Sequence, residues 1–371
     1  MNIRIPAEIF PPGEFLKDEL DARGWTQVEF AEIIERDTRV ISEVIGGKRS
    51  ITPETAIAFG EALGTGPEFW LNLESQYQLS KVRPKENSIS RKAELHNAFP
   101  IREMIKRGWI EATQNIESLE KQVFDFFGIT NIDQSPAFSH AAKKTHYDAP
   151  SILQLSWLFR VKNIAKSILV KNYSEKALLD ALETLSSLLL SPDEIRHVPK
   201  ILADCGVRFV IVEALPGSKI DGACFWLDDK SPVIGMTTKK DTIDNFWFVL
   251  RHEIEHVLKN HGLGRECIDE DVGYETQDTP EEEKLANVAG AEFCVNQSEL
   301  TNFYDRINPF FSDQKVVLFA KRLNIHPGLV VGQLHRRLNR YDLLKKHQVK
   351  VRNIVISTAA TDGFGQVYPI D

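Results

Sequence analysis

The chain has 371 residues, 42% of them hydrophobic and 26% charged, with a formal net charge of −8 at pH 7. That length can bury two or three ordinary cores, and the acidic balance argues against a general nucleic-acid or membrane-surface binder. The opening Met1-Asn2-Ile3-Arg4-Ile5-Pro6 lacks the apolar stretch of a signal peptide, no run of about 18 apolar residues occurs, and Cys205, Cys224, Cys267 and Cys294 have no C-x-x-C spacing, so a cytoplasmic chain with reduced thiols and no membrane partner is expected.

In chain order, residues 1–80 read as an all-α head. Thr26-Gln27-Val28-Glu29 makes a capping box, followed by the packing residues Phe30-Ala31, and Asp37 can cap a second helix through Val40-Ile41-Ser42-Glu43-Val44-Ile45. Gly46-Gly47 ends that helix and Thr52-Pro53-Glu54 starts the next. The arrangement outlines a helix-turn-helix, with Thr38, Arg39 and Ser42 as candidate base-edge readers and Gln27, Lys48 and Arg49 facing the DNA backbone. Seven Lys and Arg stand against fourteen Asp and Glu in these residues, so operator binding is expected to be weak or to depend on a homodimer. A helix-turn-helix kept for protein contact alone is the alternative.

Residues 81–198 read as a helical spacer. After the charged, Pro-containing hinge Lys81-Val82-Arg83-Pro84-Lys85-Glu86-Asn87-Ser88, apolar residues recur at helical spacing through Met104-Ile105, Ile116 to Phe127, Ile152 to Leu169 and Ala177 to Leu190. Trp157, Leu158 and Phe159 are expected in the core.

Residues 199–345 carry the chemistry. Arg251-His252-Glu253-Ile254-Glu255-His256 is an H-E-x-x-H motif, and on a helix its i, i+4 spacing turns roughly 400°, which puts His252 and His256 on one face, able to hold one metal ion. Glu253 beside it can take a proton from a water held there. The preceding Asp244-Asn245-Phe246-Trp247-Phe248-Val249-Leu250 supplies apolar side chains to pack that helix. Downstream, Thr279-Pro280-Glu281-Glu282-Glu283 predicts a second helix with Thr279 as its cap and Pro280 at its first position. Glu283 and Asn287 share a face of it, with Ala286 and Gly290 small enough for close approach. Glu283 is the expected third ligand, although three Glu at a helix start also fit a solvated first turn. Asn287 could orient a ligating group by a hydrogen bond. The expected metal is Zn²⁺, with Mn²⁺ or Fe²⁺ compatible with the same donors. An oxyanion donor should also exist; His261, Tyr274 and Tyr304 are unranked candidates. Residues 346–371 read as a tail of low order with one strand-like run, Ile354-Val355-Ile356.

The stretch from Ile201 to Leu338 resembles the ImmA/IrrE metallopeptidases. The likeness lies in Cys205-Gly206-Val207-Arg208-Phe209-Val210, Asp221-Gly222-Ala223-Cys224-Phe225-Trp226, the metal helix, Glu-x-x-Ala-Asn at Glu283 to Asn287, and the late helical pair around Phe319 to Gly328. It implies a compact gluzincin-like fold, His252, His256 and Glu283 as ligands and Glu253 as general base. It also implies that the helix-turn-helix rhythm of Ala320 to Leu338 belongs to the body. Glu255 replaces the family's Gly or Ala, and Val288-Ala289-Gly290-Ala291 its Phe-Ala-Ala; at 200° from Glu253 the Glu255 side chain should point away from the metal. Ile5 to Leu79 resembles the HigA-type antitoxin and Xre repressor fold, through Phe10-Pro11-Pro12-Gly13-Glu14-Phe15-Leu16 and Glu68-Phe69-Trp70-Leu71-Asn72-Leu73, with Glu35-Arg36-Asp37 in place of the usual Gly-Val-Ser turn. The spacer, including Phe99 to Ile110, is similar to the middle of longer chains that join such a head to such a body.

The expected fold class is therefore mostly α and multidomain: a helix-turn-helix head, a helical spacer, and an α+β gluzincin-like body with a small sheet. The expected function is a DNA-binding transcriptional regulator with a zinc-dependent endopeptidase domain, its substrate a protein such as a helix-turn-helix repressor cut in a stress or mobile-element response. The alternative is a HigA-like antitoxin or autorepressor, partnered by a cognate toxin, whose metal-binding body senses rather than cleaves. A purely structural metal is a third reading.

Overall fold

The computed structural model of the chain describes residues 10–82, 88–136, 150–263, 267–270, 279–362 and 367–368. The chain divides into two compact units, Met1–Ser88 and Ile89–Asp371. No described helix is long and apolar enough to cross a membrane.

The described residues of the first unit form five helices: α1 (Pro12–Arg23), α2 (Gln27–Ile33), α3 (Thr38–Ile45), α4 (Pro53–Leu63) and α5 (Pro67–Lys81). Their starts follow the sequence signals. The Glu29 backbone N–H donates to Thr26 Oγ1 at 3.2 Å and the Thr26 N–H to Glu29 Oε2 at 2.8 Å, which completes the capping box. The Arg39 N–H donates to Asp37 Oδ1 at 2.7 Å, and Thr52 caps α4. Leu16, Phe30, Ile41, Phe59 and Trp70, one or more from each helix, are fully buried and make a single core.

Among the described residues of this unit one non-glycine position is strained. Glu35, in the turn between α2 and α3, has φ 51°, the left-handed region where a Cβ crowds the following carbonyl. Replacing it with glycine is expected to stabilise the first unit by about 1 kcal/mol, read as a higher midpoint for that unit's transition in denaturant; no gain would mean that the Glu35 side chain makes a compensating contact.

The second unit surrounds a six-stranded mixed sheet of order β4-β2-β3-β1-β5-β6. The strands are β1 (Arg208–Val212), β2 (Ile220–Trp226), β3 (Pro232–Met236), β4 (Cys267–Glu270), β5 (Ala360–Asp362) and β6 (Val367–Tyr368). β1 runs parallel to β3 and β5, whereas β2 is antiparallel to β3 and β4. Alternate side chains enter different cores, as the period of two requires. Phe209, Ile211 and Cys224 join the core of α10 (Glu175–Ser187), α11 (Val198–Asp204) and α12 (Ile243–Leu258) with α14 (Gln297–Ile307), α15 (Asp313–Leu323) and α16 (Pro327–Leu338). Val210, Val212 and Ala223 join that of α6 (Ser88–Ala98), α7 (Ile101–Lys106), α8 (Ile116–Phe127) and α9 (Ile152–Ala165).

The sheet is thus covered on both faces, and this corrects two expectations. Residues 81–198 beyond the hinge are not a separate spacer with a boundary at 198: Trp157 of α9 donates to the Val212 carbonyl at 2.9 Å, and α9 is one of the sheet's two covers. Apolar periodicity placed these helices without showing what they pack on. Nor is the segment after residue 345 of low order throughout. Ile354-Val355 lies in a short helix, α17 (Arg352–Val355), rather than a strand, and β5 enters the sheet beside β1. The anchor is polar: Asp362, 2% exposed, accepts from Arg160 Nε at 2.8 Å and from the Trp109 indole N–H. Asp362→Asn leaves Arg160 without its counter-charge and is expected to lower stability by about 3 kcal/mol, measured by chemical denaturation of the full chain. A loss under 1 kcal/mol would show that the ion pair contributes little.

Candidate functional site

The metal motif is carried by α12, thirteen of whose sixteen residues are buried. A helix buried all round is a central element; α12 runs against β2, α13 (Glu281–Cys294) and α16. His252, Glu253 and His256 face the space between α12, β2 and α13, and all three are at most 1% exposed. Close approach of α13 depends on Gly290, where a Cβ would lie 3.0 Å from the Phe248 carbonyl oxygen. On the other side Gly222 of β2 leaves room for the Glu253 carboxyl, since a Cβ there would fall 2.1 Å from Glu253 Oε1. The Asp-Gly-Ala turn and the Ala-x-x-x-Gly face singled out in the sequence therefore have steric reasons.

Four ligand-type side chains converge: His252, His256, Asp269 and Glu283, their ligand atoms all within 4.8 Å of one another. The two Nε2 atoms are 3.0 Å apart. Glu283 Oε2 is 3.2 Å from His252 Nε2, and Glu283 Oε1 is 3.6 Å from His256 Nε2. Asp269 Oδ2 lies 3.6 and 3.8 Å from the same two nitrogens. Zinc bonds to nitrogen and oxygen of about 2.0–2.2 Å at tetrahedral angles put neighbouring donors roughly 3.3–3.6 Å apart. The donor set and its spacing fit one divalent cation.

Charge in the cluster points the same way. Burial, reinforced by the charge of Asp269, pushes the Glu253 carboxyl well above its ordinary range. Burial would lower the His252 imidazole, but the carboxylates of Asp269 and Glu283 outweigh it and raise it to about 9. The Glu283 carboxyl is held well below the usual range: burial opposes this, and hydrogen bonds from His252 and His256 prevail. The Asp269 and Glu283 carboxylates, set against two imidazoles in a dry site, are a pair of charges that a dication would compensate.

The sequence reading located His252, Glu253, His256 and Glu283 together and missed Asp269. His261 is not placed as an oxyanion donor: its Nδ1 is 3.0 Å from Nδ1 of His256, where it can fix that ring's orientation. Tyr304 stands against Phe311 with the Arg337 guanidinium 4.2 Å from its ring centroid, and Tyr274 lies outside the described residues. Asn287 is buried on the Glu283 face of α13. That helix starts one residue later than expected, at Glu281 with Pro280 in the capping position, so Thr279 is not its cap. Glu255 points away, paired with Arg251 at 2.8 Å.

In the first unit Gln27, Arg39, Ser42, Lys48 and Arg49 are exposed and Thr38 is half-buried. Arg39 and Arg49 both reach the same acid: Arg39 Nε lies 2.7 Å from Glu43 Oε1, and Arg49 Nη1 lies 3.1 Å from Glu43 Oε2.

The helix-turn-helix family model matches residues 16–70. The chain is 32% identical over 80 residues to the HTH-type transcriptional regulator YddM of Escherichia coli (strain K12), covering 22% of this chain and 84% of that protein. The chain belongs to the helix-turn-helix family. It is also 38% identical over 72 residues to virulence-associated protein A′ of Dichelobacter nodosus, covering 19% of this chain and 63% of that protein. Among solved structures it is similar to an addiction module antidote protein of a HigA family from Coxiella burnetii, at 30% identity, covering 24% of this chain and 96% of that one with a TM-score of 0.21.

Should Arg39 and Arg49 meet DNA phosphate, Glu43 would compete for both of them. Exposed ion pairs are weak, so Glu43→Gln is expected to tighten binding to any duplex by roughly 3- to 10-fold and to steepen its salt dependence, because two cations are freed for counterion release. Fluorescence anisotropy at several salt concentrations measures both. Unchanged affinity with an unchanged slope would place Arg39 and Arg49 outside the DNA contact.

Proposed function

We propose that this chain is a helix-turn-helix transcriptional regulator whose second unit is a zinc-dependent endopeptidase of the ImmA/IrrE kind. What supports the reading is the convergence of an H-E-x-x-H helix with Glu283 on a neighbouring helix, ligand atoms within 4.8 Å and Glu253 buried beside them. His252, His256 and Glu283 would hold the cation. When bound, a divalent cation supplies Lewis-acid polarisation of a carbonyl and acidification of water. Glu253 accepts a proton at its carboxylate and returns it to the leaving amine, in a pocket that Gly222 keeps open for it. His261 holds the His256 ring from behind, and Asn287, buried one turn beyond Glu283, would orient a ligating group by a hydrogen bond. The same donors would accept Mn²⁺ or Fe²⁺.

The substrate in this reading is a protein, and a helix-turn-helix repressor is the class that an operator-binding head would encounter. Substrate trapping tests it. A Glu253→Gln chain should retain one transcription factor that the parent chain clips, seen by mass spectrometry. If the parent chain cleaves no candidate repressor, the second reading gains: a HigA-like antitoxin or autorepressor whose body senses metal or a toxin. One observation favours that reading. Asp269 supplies a fourth protein donor where a hydrolase needs an open position.

A further inference from the structure

The cluster has one donor more than a zinc hydrolase uses. Catalytic sites combine three protein ligands with a position left to water or substrate, whereas four protein ligands make a closed, structural site. We propose that Asp269 is a removable fourth ligand that keeps this site shut: the resting chain holds its cation with His252, His256, Glu283 and Asp269, and the position needed for hydrolysis opens only when β4 withdraws from β2. This rests on the metal-site reading above and adds to it a resting state and a means of leaving it.

Three observations carry the inference. Asp269 is 4% exposed, and among the described residues its Oδ2, which faces both imidazoles at 3.6 and 3.8 Å, has no partner within hydrogen-bond length. A buried carboxylate oxygen without a donor is costly, and a cation would satisfy it. Asp269 also pairs directly across the ladder with Gly222, the residue that makes room for Glu253, so ligand and base meet at one rung of the sheet.

The third observation concerns what can move. β4 has four residues, lies at the edge of the sheet, pairs among the described residues with β2 alone, and its register with β2 is irregular between Ile220 and Gly222. Short edge strands with a bulge are where a ladder opens at least cost. The other three donors stand on α12 and α13, which pack closely through Gly290. Withdrawal of β4 would remove one ligand and leave three, the number a catalytic site keeps.

Cobalt(II) tests this in the full chain, because its visible spectrum reports the number of ligands and their exchange with an added anion. The parent chain should bind one Co²⁺ and show no spectral change with azide. Asp269→Ala should still bind one Co²⁺, at least about tenfold more weakly, and its spectrum should shift on azide addition. Asp269→Ser provides a second variant, and a melting curve on each establishes folding. Azide binding by the parent chain, or Co²⁺ affinity unchanged in both variants, would overturn the proposal. If the parent chain takes up no Co²⁺ and behaves as His252→Ala does, the metal-site reading itself falls. If Asp269→Ala binds azide yet hydrolyses no protein, the closing role stands and the peptidase reading fails.

Discussion

If the proposed cation is bound, chelation is expected to lower the melting temperature of the second unit by roughly 10 °C. A ligand present at about a thousand times its dissociation constant adds about 4 kcal/mol to the folded state, and each of these is worth some 2–4 °C in a domain of this size. Complete unfolding is not expected, because the cluster can compensate itself: Glu253 is pushed toward its neutral form by burial, and His252 is raised to about 9 by Asp269 and Glu283 against the opposing effect of its burial. The large core that unites the sheet with α10 to α16 also remains. His252→Ala should abolish metal uptake and make the melting curve indifferent to chelator. Calorimetry with and without EDTA, alongside elemental analysis, decides the matter. A chain that melts at one temperature in both conditions and carries no stoichiometric metal would remove the basis of the proposed chemistry.

Glu253→Gln is expected to reduce proteolysis by at least about 100-fold while metal content stays the same. The substitution keeps the shape that Gly222 accommodates and removes the only carboxylate of the H-E-x-x-H motif that faces the cluster, since Glu255 is paired with Arg251. Stability should not fall, because burial already favours a neutral group at this position. The measurement is cleavage of a trapped partner by parent and variant at equal metal loading. A variant that retains more than a tenth of the activity would require another general base, and a variant that loses its metal would make Glu253 a structural group.

Much of the site was legible because its signals are local. The spacing of His252 and His256, the small residues Ala286 and Gly290, and the helix caps of the head all act within one or two helical turns. Asp269 was not legible in the same way. It lies in Cys267-Ile268-Asp269-Glu270, a four-residue strand that does not announce itself beside a helix motif, and its role depends on pairing with Gly222, 47 positions earlier. An acidic residue alternating with Ile268 between the motif and Glu283 is the signal that could have raised it. The place of His261 beside His256 was not legible either, because sequence separation does not tell which side of an imidazole a neighbour will meet. The spacer and tail were misjudged for a related reason. Apolar periodicity shows that a helix has a buried face but not which distant surface covers it, and β5 is too short to read as a strand without its partner β1.

The pairing of Val210 with Ala360 has a kinetic meaning. The five-helix unit closes on itself through short-range contacts, whereas an inner strand of the sheet must wait for a segment synthesised about 150 residues after its neighbour. Contacts of such separation form slowly. During translation the helix-turn-helix unit would be ready while the second unit is still a partial sheet with an open flank, and that interval is when a chaperone would have the most to protect.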